Sequence, residues 1–338
     1  MKLCISRVFM ILILLTGMIY GQGVTTAAIN GKITDAEGAV LIGANVIAEH
    51  TPTGTTYGAS TMKDGYYYIP NMKIGGPYVI RVSYIGYTAQ QNEGVQLFLN
   101  NEASYNFSLQ SESMEMGEVV VTAEHSEINP NRTGAETSIN AELLESLPTI
   151  SRGQKDFTRM TPESDGNSFG GRNNLYNNFS LDGSIFNNPF GLDYAVPGGQ
   201  TEAQPVSLDA IEQVQVSLAP FDVREGGFTG AGVNAVTKSG TNTFKASVYH
   251  YLRSEAMVGT KVGDVETENL DFSTSQSGIS LGGPIIKDKI FFFVNVEAER
   301  RDQLAHNFIA DDGSTGANVT SVNADSIALV QARLRDYR

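Results

Sequence analysis

Alternation of apolar and polar residues recurs along this 338-residue chain and leaves few folds open to it. Phe244, Ala246, Val248 and Leu252 are apolar, and Lys245, Ser247, Tyr249, Tyr251 and Arg253 lie between or beside them. Ile290, Phe292, Val294, Val296 and Ala298 repeat the pattern against Asn295, Glu297, Glu299 and Arg301. A period of two places the two sets on opposite faces of a β-strand, so each segment reads as a strand of about ten residues with one apolar face. Shorter runs near the N-terminus behave alike: Ile29, Gly31, Ile33; Ala44, Val46, Ala48; Tyr78, Ile80, Val82, Tyr84; Tyr105, Phe107, Leu109. Turn sequences separate them at residues 35–38, 63–65 and 75–77. Seven or so short strands across residues 24–110 predict a small antiparallel β-sandwich. The composition agrees, with 35 Gly, 14 Tyr and 16 Phe and few charged residues, and the fold class is mainly β.

Residues 1–21 read as a secretory signal. Lys2 and Arg7 provide a positive start, residues 8–15 are unbroken apolar, and small residues lie near the expected cut at Gly21-Gln22. The apolar run is too short to cross about 30 Å of hydrocarbon as a helix. Cys4, the only cysteine, lies inside this leader, so the mature chain is expected to use no disulfide and no thiol chemistry. The formal net charge of −14 argues against a nucleic-acid partner, which needs a Lys/Arg footprint to neutralise phosphates.

A polar stretch at residues 111–116 leads into Glu118-Val119-Val120-Val121-Thr122-Ala123, whose centre is strongly β-prone. It reads either as a free strand seeking a sheet edge or as one more strand of a domain. Residues 124–240 form a mixed α+β unit. Asn140 can cap a short helix through Leu147 that Pro148 stops, and Ser207 can cap a second helix over Leu208 to Glu212. Val214 to Leu218 then alternates as a strand, and residues 166–199 form a long Gly/Asn-rich loop region of the functional or mobile kind. Residues 323–337 carry a helical apolar face at Ile327, Val330 and Leu334.

No catalytic constellation stands out. His50, His125, His250 and His306 lie in different segments, with no two at metal-ligand spacing. No acid/base pair and no nucleophile elbow is recognisable. Gly230-Ala231-Gly232-Val233-Asn234-Ala235 fits a dinucleotide-binding pattern, but it lacks the preceding apolar strand and the following helix. The expectation is a protein that is not an enzyme and needs no cofactor and no metal.

Ile29-Asn30-Gly31-Lys32-Ile33-Thr34-Asp35, Gly43-Ala44-Asn45-Val46, residues 61–70 and residues 78–87 together resemble the carboxypeptidase-regulatory-like domain, a carbohydrate-binding-like fold without peptidase residues. Phe179-Ser180-Leu181-Asp182-Gly183, residues 208–216 and residues 228–240 resemble the plug domain of TonB-dependent outer-membrane receptors, nearest to their Oar-like subgroup. The resemblance implies that Glu118, Val119, Val120, Val121, Thr122 and Ala123 are the TonB box, and that residues 241–338 begin a transmembrane β-barrel. At about ten residues per strand that tail supplies three or four strands, too few to close, so the chain is expected to be the front of a longer receptor or a truncated frame.

By that resemblance the protein would lie in the outer membrane of a Gram-negative bacterium, with its N-terminal domains in the periplasm. Its partners would be TonB with the inner-membrane energising complex, outer-membrane lipid, and an unknown small ligand such as a siderophore, peptide, vitamin or oligosaccharide. Arg172, Asn173, Asn174 and Tyr176 are the candidate ligand contacts. The alternatives are an envelope-exposed adhesion or carbohydrate-binding protein working through its sandwich, and an outer-surface protein without import.

Overall fold

The computed structural model describes residues 25–111, 119–122, 135–146, 148–149, 152–166, 168–187, 206–220, 225–266, 271–303, 309–311 and 319–335. The expected leader at residues 1–21 lies outside them. The chain divides into one unit of residues 1–246 with 280–295 and a second of residues 247–279 with 296–338.

The first unit begins with eight strands: β1 (Ala27–Asp35), β2 (Asn45–His50), β3 (Thr55–Ser60), β4 (Tyr66–Met72), β5 (Gly75–Ser83), β6 (Gln90–Leu97), β7 (Glu102–Ser104) and β8 (Phe107–Leu109). One sheet runs β4-β1-β7, with β8 also on β1, and the other runs β3-β2-β5-β6 before a fifth strand described below. The alternation read from the sequence decides what turns inward. In β2, Asn45, Ile47 and Glu49 are exposed, while Val46, Ala48 and His50 are buried. Ile29, Ile33, Val46, Tyr67, Ile80, Val82, Leu97 and Leu109 from both sheets fill one core. Their burial is the main stabilising term, at roughly 25 cal/mol per Å² of apolar surface removed from water. Burial also raises the phenol pKa values of Tyr67 and Tyr78, keeping both neutral inside the core.

The sandwich is not wholly antiparallel, as the strand spacing suggested. β7 and β8 both run parallel to β1. The chain reaches them from β6, which belongs to the other sheet. A tight hairpin forces reversal only between neighbours in one sheet, and a crossing between sheets imposes no such direction.

His50 is buried beneath the Tyr78 ring, 4.9 Å between centroids, and its Nδ1 lies 2.6 Å from Thr53 Oγ1. Burial, and then the charge of Lys73, lower its pKa to about 4. The unfolded chain therefore takes up a proton near pH 6.5 that the fold refuses until about pH 4. Stability should fall as pH drops through this window, by up to about 3 kcal/mol. Unfolding curves at pH 7 and pH 4.5 for the chain and for His50→Asn check this; an equal loss in both would remove His50 as the cause.

A third sheet in the same unit contains β10 (Glu136–Asn140), β11 (Asn178–Leu181), β12 (Ser184–Ile185), β13 (Ile211–Ser217) and β14 (Gly232–Thr237), in the order β10-β13-β14-β11-β12. Its apolar face carries Ile139, Phe179, Val214, Val216, Val233 and Ala235, packed with Leu144, Phe157, Phe169 and Leu208. The helix Ala141–Ser146 begins where expected, with Asn140 Oδ1 accepting from Leu143 N at 2.9 Å. The second expected helix is only a 3-10 turn, Leu208–Ala210, which Ser207 caps. Ile211 and Glu212 leave the helix because they start β13, where Ile211 faces Thr237 in the ladder with β14. The ladder gives Ile211 a strand partner, and Glu212 lies at the irregularity between Ile211 and Gln213.

The β11–β12 reversal is made by Asp182 (φ 48°) and Gly183 (φ 79°), the left-handed pair that a two-residue hairpin demands. Asp182 also clamps the neighbouring strand. Its Oδ1 accepts from Thr237 N at 2.9 Å and its Oδ2 from Thr237 Oγ1 at 2.8 Å. Asp182→Ala removes two charge-assisted bonds at an exposed site and should cost about 1–2 kcal/mol. Thermal unfolding checks this, and an unchanged midpoint would mean that the turn holds without the clamp.

The polar face of this sheet turns toward the sandwich. Gln213 Oε1 accepts from Leu99 N at 3.0 Å, and Asn100 Nδ2 donates to Glu225 Oε1 at 2.9 Å. Val236 packs against the sandwich core, and Lys73 Nζ donates to Ser239 Oγ. Burial lowers the Lys73 pKa, and the nearby Glu212 carboxylate opposes that shift.

Three strands follow in the order β15-β18-β19: β15 (Lys245–Ser254), β18 (Phe272–Ile286) and β19 (Ile290–Gln303). Two two-residue strands, β16 (Lys261–Val262) and β17 (Val265–Glu266), lie between the first two in sequence. The expected alternation holds. Val248, Ile279, Leu281, Val294 and Val296 are exposed, while Gln276 and Ser280 are buried. In the first unit, the turn between β18 and β19 is held by Asn242 Nδ2, which donates to Asp288 Oδ1 at 2.6 Å. Asn242 N in turn donates to Pro52 O of the sandwich at 2.8 Å. In the second unit, the carboxylate of Glu297 accepts from Tyr249 Oη and, at 2.9 Å, from Gln276 Nε2. That unit ends in β20 (Ile309–Asp311), β21 (Val319–Asn323) and the helix Ala324–Arg335, which agrees with the helical face read from the sequence. Among the described residues no helix is long and apolar enough to cross a membrane.

Candidate functional site

Four consecutive β-branched residues, Val119 to Thr122, form β9 (Val119–Thr122). The strand is not free. It pairs parallel with β6, with Gln90 opposite Val119, Gln91 opposite Val120, Asn92 opposite Val121 and Glu93 opposite Thr122. The sandwich sheet thereby runs β3-β2-β5-β6-β9, with β9 at its edge. Glu118 and Ala123, the outer residues of the expected box, lie outside the described residues.

The accepting strand β6 is polar where β9 meets it. Gln91 and Asn92 are buried. Gln91 Oε1 accepts from Arg81 Nη2 at 3.1 Å, and its Nε2 donates to Glu93 Oε1 at 2.9 Å. Gln90 Nε2 donates to Ser108 O at 2.8 Å, tying the strand to β8. Sequence reading missed these four residues as the partner of the 119–122 strand. The available signal was the polar run Gln90-Gln91-Asn92-Glu93, which suits a sheet edge better than a core strand.

The second candidate set lies elsewhere, in the loop that enters β11. Arg172 N donates to Phe169 O at 3.0 Å. Asn173 Oδ1 accepts from Leu175 N at 2.9 Å and caps the 3-10 turn Asn174–Tyr176. Tyr176 O accepts from Thr229 N at 3.1 Å and Gly230 N at 3.2 Å, fixing the loop to the segment before β14. Tyr176 is 59% exposed. Arg172 and Asn173 are exposed beside it, and Asn174 is half-buried. Sequence reading did not single out the exposed apolar side chains Leu175, Ile185 and Phe186 of the same sheet end. Nothing in a two-residue strand at a sheet edge marks its side chains as outward.

Other sequence signals resolve into structure. Gly232–Thr237 is a strand paired on both sides, so the dinucleotide-like glycines open no helix. His50 is a core residue, and His250 Nδ1 lies 2.7 Å from Ser277 Oγ. His125 and His306 lie outside the described residues. Among the described residues no group of three or more His, Cys, Asp or Glu side chains is placed to hold a metal ion.

Known families match both ends of this arrangement. Residues 28–110 match the carboxypeptidase regulatory-like domain, and residues 236–316 match the outer membrane beta barrel domain. The protein is thus a mainly β chain of the Gram-negative outer membrane, with a sandwich domain ahead of barrel strands. In sequence it is similar to the TonB-dependent transporter Oar of Myxococcus xanthus, with 26% identity over 307 residues, 82% of this chain and 27% of that protein. The chain spans about a quarter of the length of this curated relative. Among solved structures, catechol 1,2-dioxygenase of Acinetobacter radioresistens overlaps 30% of this chain and 58% of its own, at 16% identity and a TM-score of 0.22. A type II cohesin–X-dockerin complex of Acetivibrio cellulolyticus overlaps 35% of this chain and 70% of its own, at 22% identity and a TM-score of 0.19. These two likenesses bear on neither activity nor site.

Proposed function

We propose that this chain is the N-terminal part of a TonB-dependent outer-membrane transporter and acts in ligand uptake rather than catalysis. The observation that carries this is the order of parts: a sandwich, a strand-forming segment at 119–122, a compact mixed sheet, then barrel strands. Similarity to the Myxococcus xanthus transporter runs across 82% of the chain. In this reading residues 124–240 are the plug, residues 241–338 start the barrel, and residues 118–123 are the TonB contact. Extended segments of this kind bind by strand addition, through backbone hydrogen bonds. Force applied to such a strand from one end can part it from its sheet one hydrogen bond at a time. The energising inner-membrane complex would supply that force through TonB.

Ligand contact is proposed at the exposed loop of Arg172, Asn173, Asn174 and Tyr176, which combines a cation, two amides and an aromatic face. The test is binding of the purified periplasmic domain of TonB to the chain and to a form lacking residues 118–123. Saturable binding that disappears with the deletion supports the reading. Equal binding by both forms overturns the assignment of the contact.

A second reading has its own observation. Tyr66 and Tyr68 are exposed on the outer face of β4, with Lys32 Nζ 5.6 Å from the Tyr66 ring centre and Tyr68 Oη 3.3 Å from Glu102 Oε1. Flat aromatic faces beside polar groups suit sugar rings, so a carbohydrate-binding adhesin working through the sandwich is the alternative. Retention on immobilised glycans that Tyr66→Ala and Tyr68→Ala abolish, in a chain indifferent to TonB, would favour it.

A further inference from the structure

We infer that the sandwich presents residues 119–122 to TonB as a preformed edge strand, so that TonB extends an existing sheet instead of capturing a loose peptide. The inference rests on the reading of residues 118–123 as the TonB contact.

The backbone of a strand carries two rows of N–H and C=O groups, one along each edge. In β9 one row faces β6 over the four pairs from Gln90–Val119 to Glu93–Thr122. Because β9 ends the sheet order, its other row points away from the sheet, and no described strand pairs with it. The two ends of this sheet differ in character. β3, at the far end, reads Thr-Thr-Tyr-Gly-Ala-Ser, and Gly58 and Ala59 in its second half leave little side chain for another strand to pack on. β9 reads Val-Val-Val-Thr and has no charge, proline or glycine to discourage another strand. Natural sheets blunt such an edge unless something is meant to add to it. An extended strand of TonB is the occupant that this open row fits.

Presentation has a measurable consequence. A free peptide loses backbone freedom residue by residue when it becomes a strand, whereas β9 has already lost it on β6. The alternative, that β6 hides the segment until it is released, gives the opposite sign. The chain with Gln90→Cys and Val119→Cys, and Cys4→Ser to remove the leader thiol, can lock the pair by oxidation, since directly paired strand residues lie within disulfide reach. A second lock, Asn92→Cys with Val121→Cys, guards against a local effect of either cysteine on TonB contact.

The expected results are ready disulfide formation, TonB binding by the locked chain within about twofold of the reduced chain, and binding by either about tenfold tighter than by a peptide of residues 116–126. Failure of both locks to form would overturn the docked strand without any reference to TonB. A locked chain that no longer binds while the reduced chain and the peptide do would replace presentation with concealment. Chain and peptide binding equally tightly would show that β6 adds nothing. If TonB binds neither chain nor peptide, the assignment of residues 118–123 fails and this inference with it.

Discussion

Gly31→Val is expected to destabilise the N-terminal sandwich strongly. Gly31 is buried in β1 opposite Tyr67 of β4. A Cβ at this position would overlap the Tyr105 carbonyl and come within 2.8 Å of the Tyr67 ring carbon Cε1. Neither neighbour can yield cheaply. Tyr105 N donates to Asn30 O at 2.8 Å, and the Tyr105 carbonyl accepts from Tyr67 Oη at the same distance. Relief would need β1 to part from the segment between β7 and β8, opening the core at Ile29 and Ile33, both fully buried. Overpacking of this kind costs about 3 kcal/mol or more, set against a typical domain stability of about 5–15 kcal/mol. Urea unfolding followed by far-UV circular dichroism and tyrosine fluorescence is the measurement, since the chain has no tryptophan. Gly31→Ala should be milder, but still worse than a surface substitution. A Gly31→Val midpoint equal to that of the parent chain would mean that the backbone approach at Tyr105 is not obligatory.

Val120→Pro is expected to weaken TonB binding about 100-fold or more while leaving the midpoint of unfolding nearly unchanged. Proline removes a backbone donor and fixes φ near −65°, which breaks a ladder whichever edge the donor faces. A factor of 100 corresponds to about 2.7 kcal/mol, the loss of two or three ladder bonds. Stability should hold because β9 is the last strand of its sheet and its removal leaves the core of β1, β2, β4 and β5 intact. Val120→Thr keeps the strand preference and should bind like the parent chain. Titration of the TonB periplasmic domain against the three chains checks both statements. Undiminished binding by Val120→Pro would place the contact elsewhere.

Much of the fold was legible because period two is a local property. Val46, Ala48, Ile80 and Val82 announce an inward face in the sequence, and they are buried. The reversals at residues 35–38 and 63–65 are likewise local, since each turns on a glycine with positive φ, Gly38 and Gly65. The cap at Asn140 was legible for the same reason. The helix expected over Leu208 to Glu212 was not, because a distant partner, β14, takes Ile211 into its ladder. Tertiary pairing overrode a capping signal that was read correctly as far as it went.

The candidate site divides along the same line. Arg172, Asn173 and Tyr176 were found as exposed loop residues because Gly/Asn-rich sequence is itself a loop signal. The strand at Val119 to Thr122 was found because β-branched residues prefer an extended backbone. What it pairs with was out of reach.

By itself, then, the sequence determined that the chain is mainly β, which side chains turn inward, that the chain reverses at 35–38 and 63–65, and that 119–122 is a strand. The turn expected at 75–77 is instead the start of β5, where Gly75 pairs with Leu97. Only the tertiary structure decided which strands are neighbours. It set β7 and β8 parallel to β1, turned the polar face at Gln213 toward Leu99 of the sandwich, and seated β9 on Gln90 to Glu93. The physical reason is that a strand's sequence states which face is apolar but not which backbone lies at its edge. Every peptide group offers the same donor and acceptor, so the choice among partners rests on how the whole core closes.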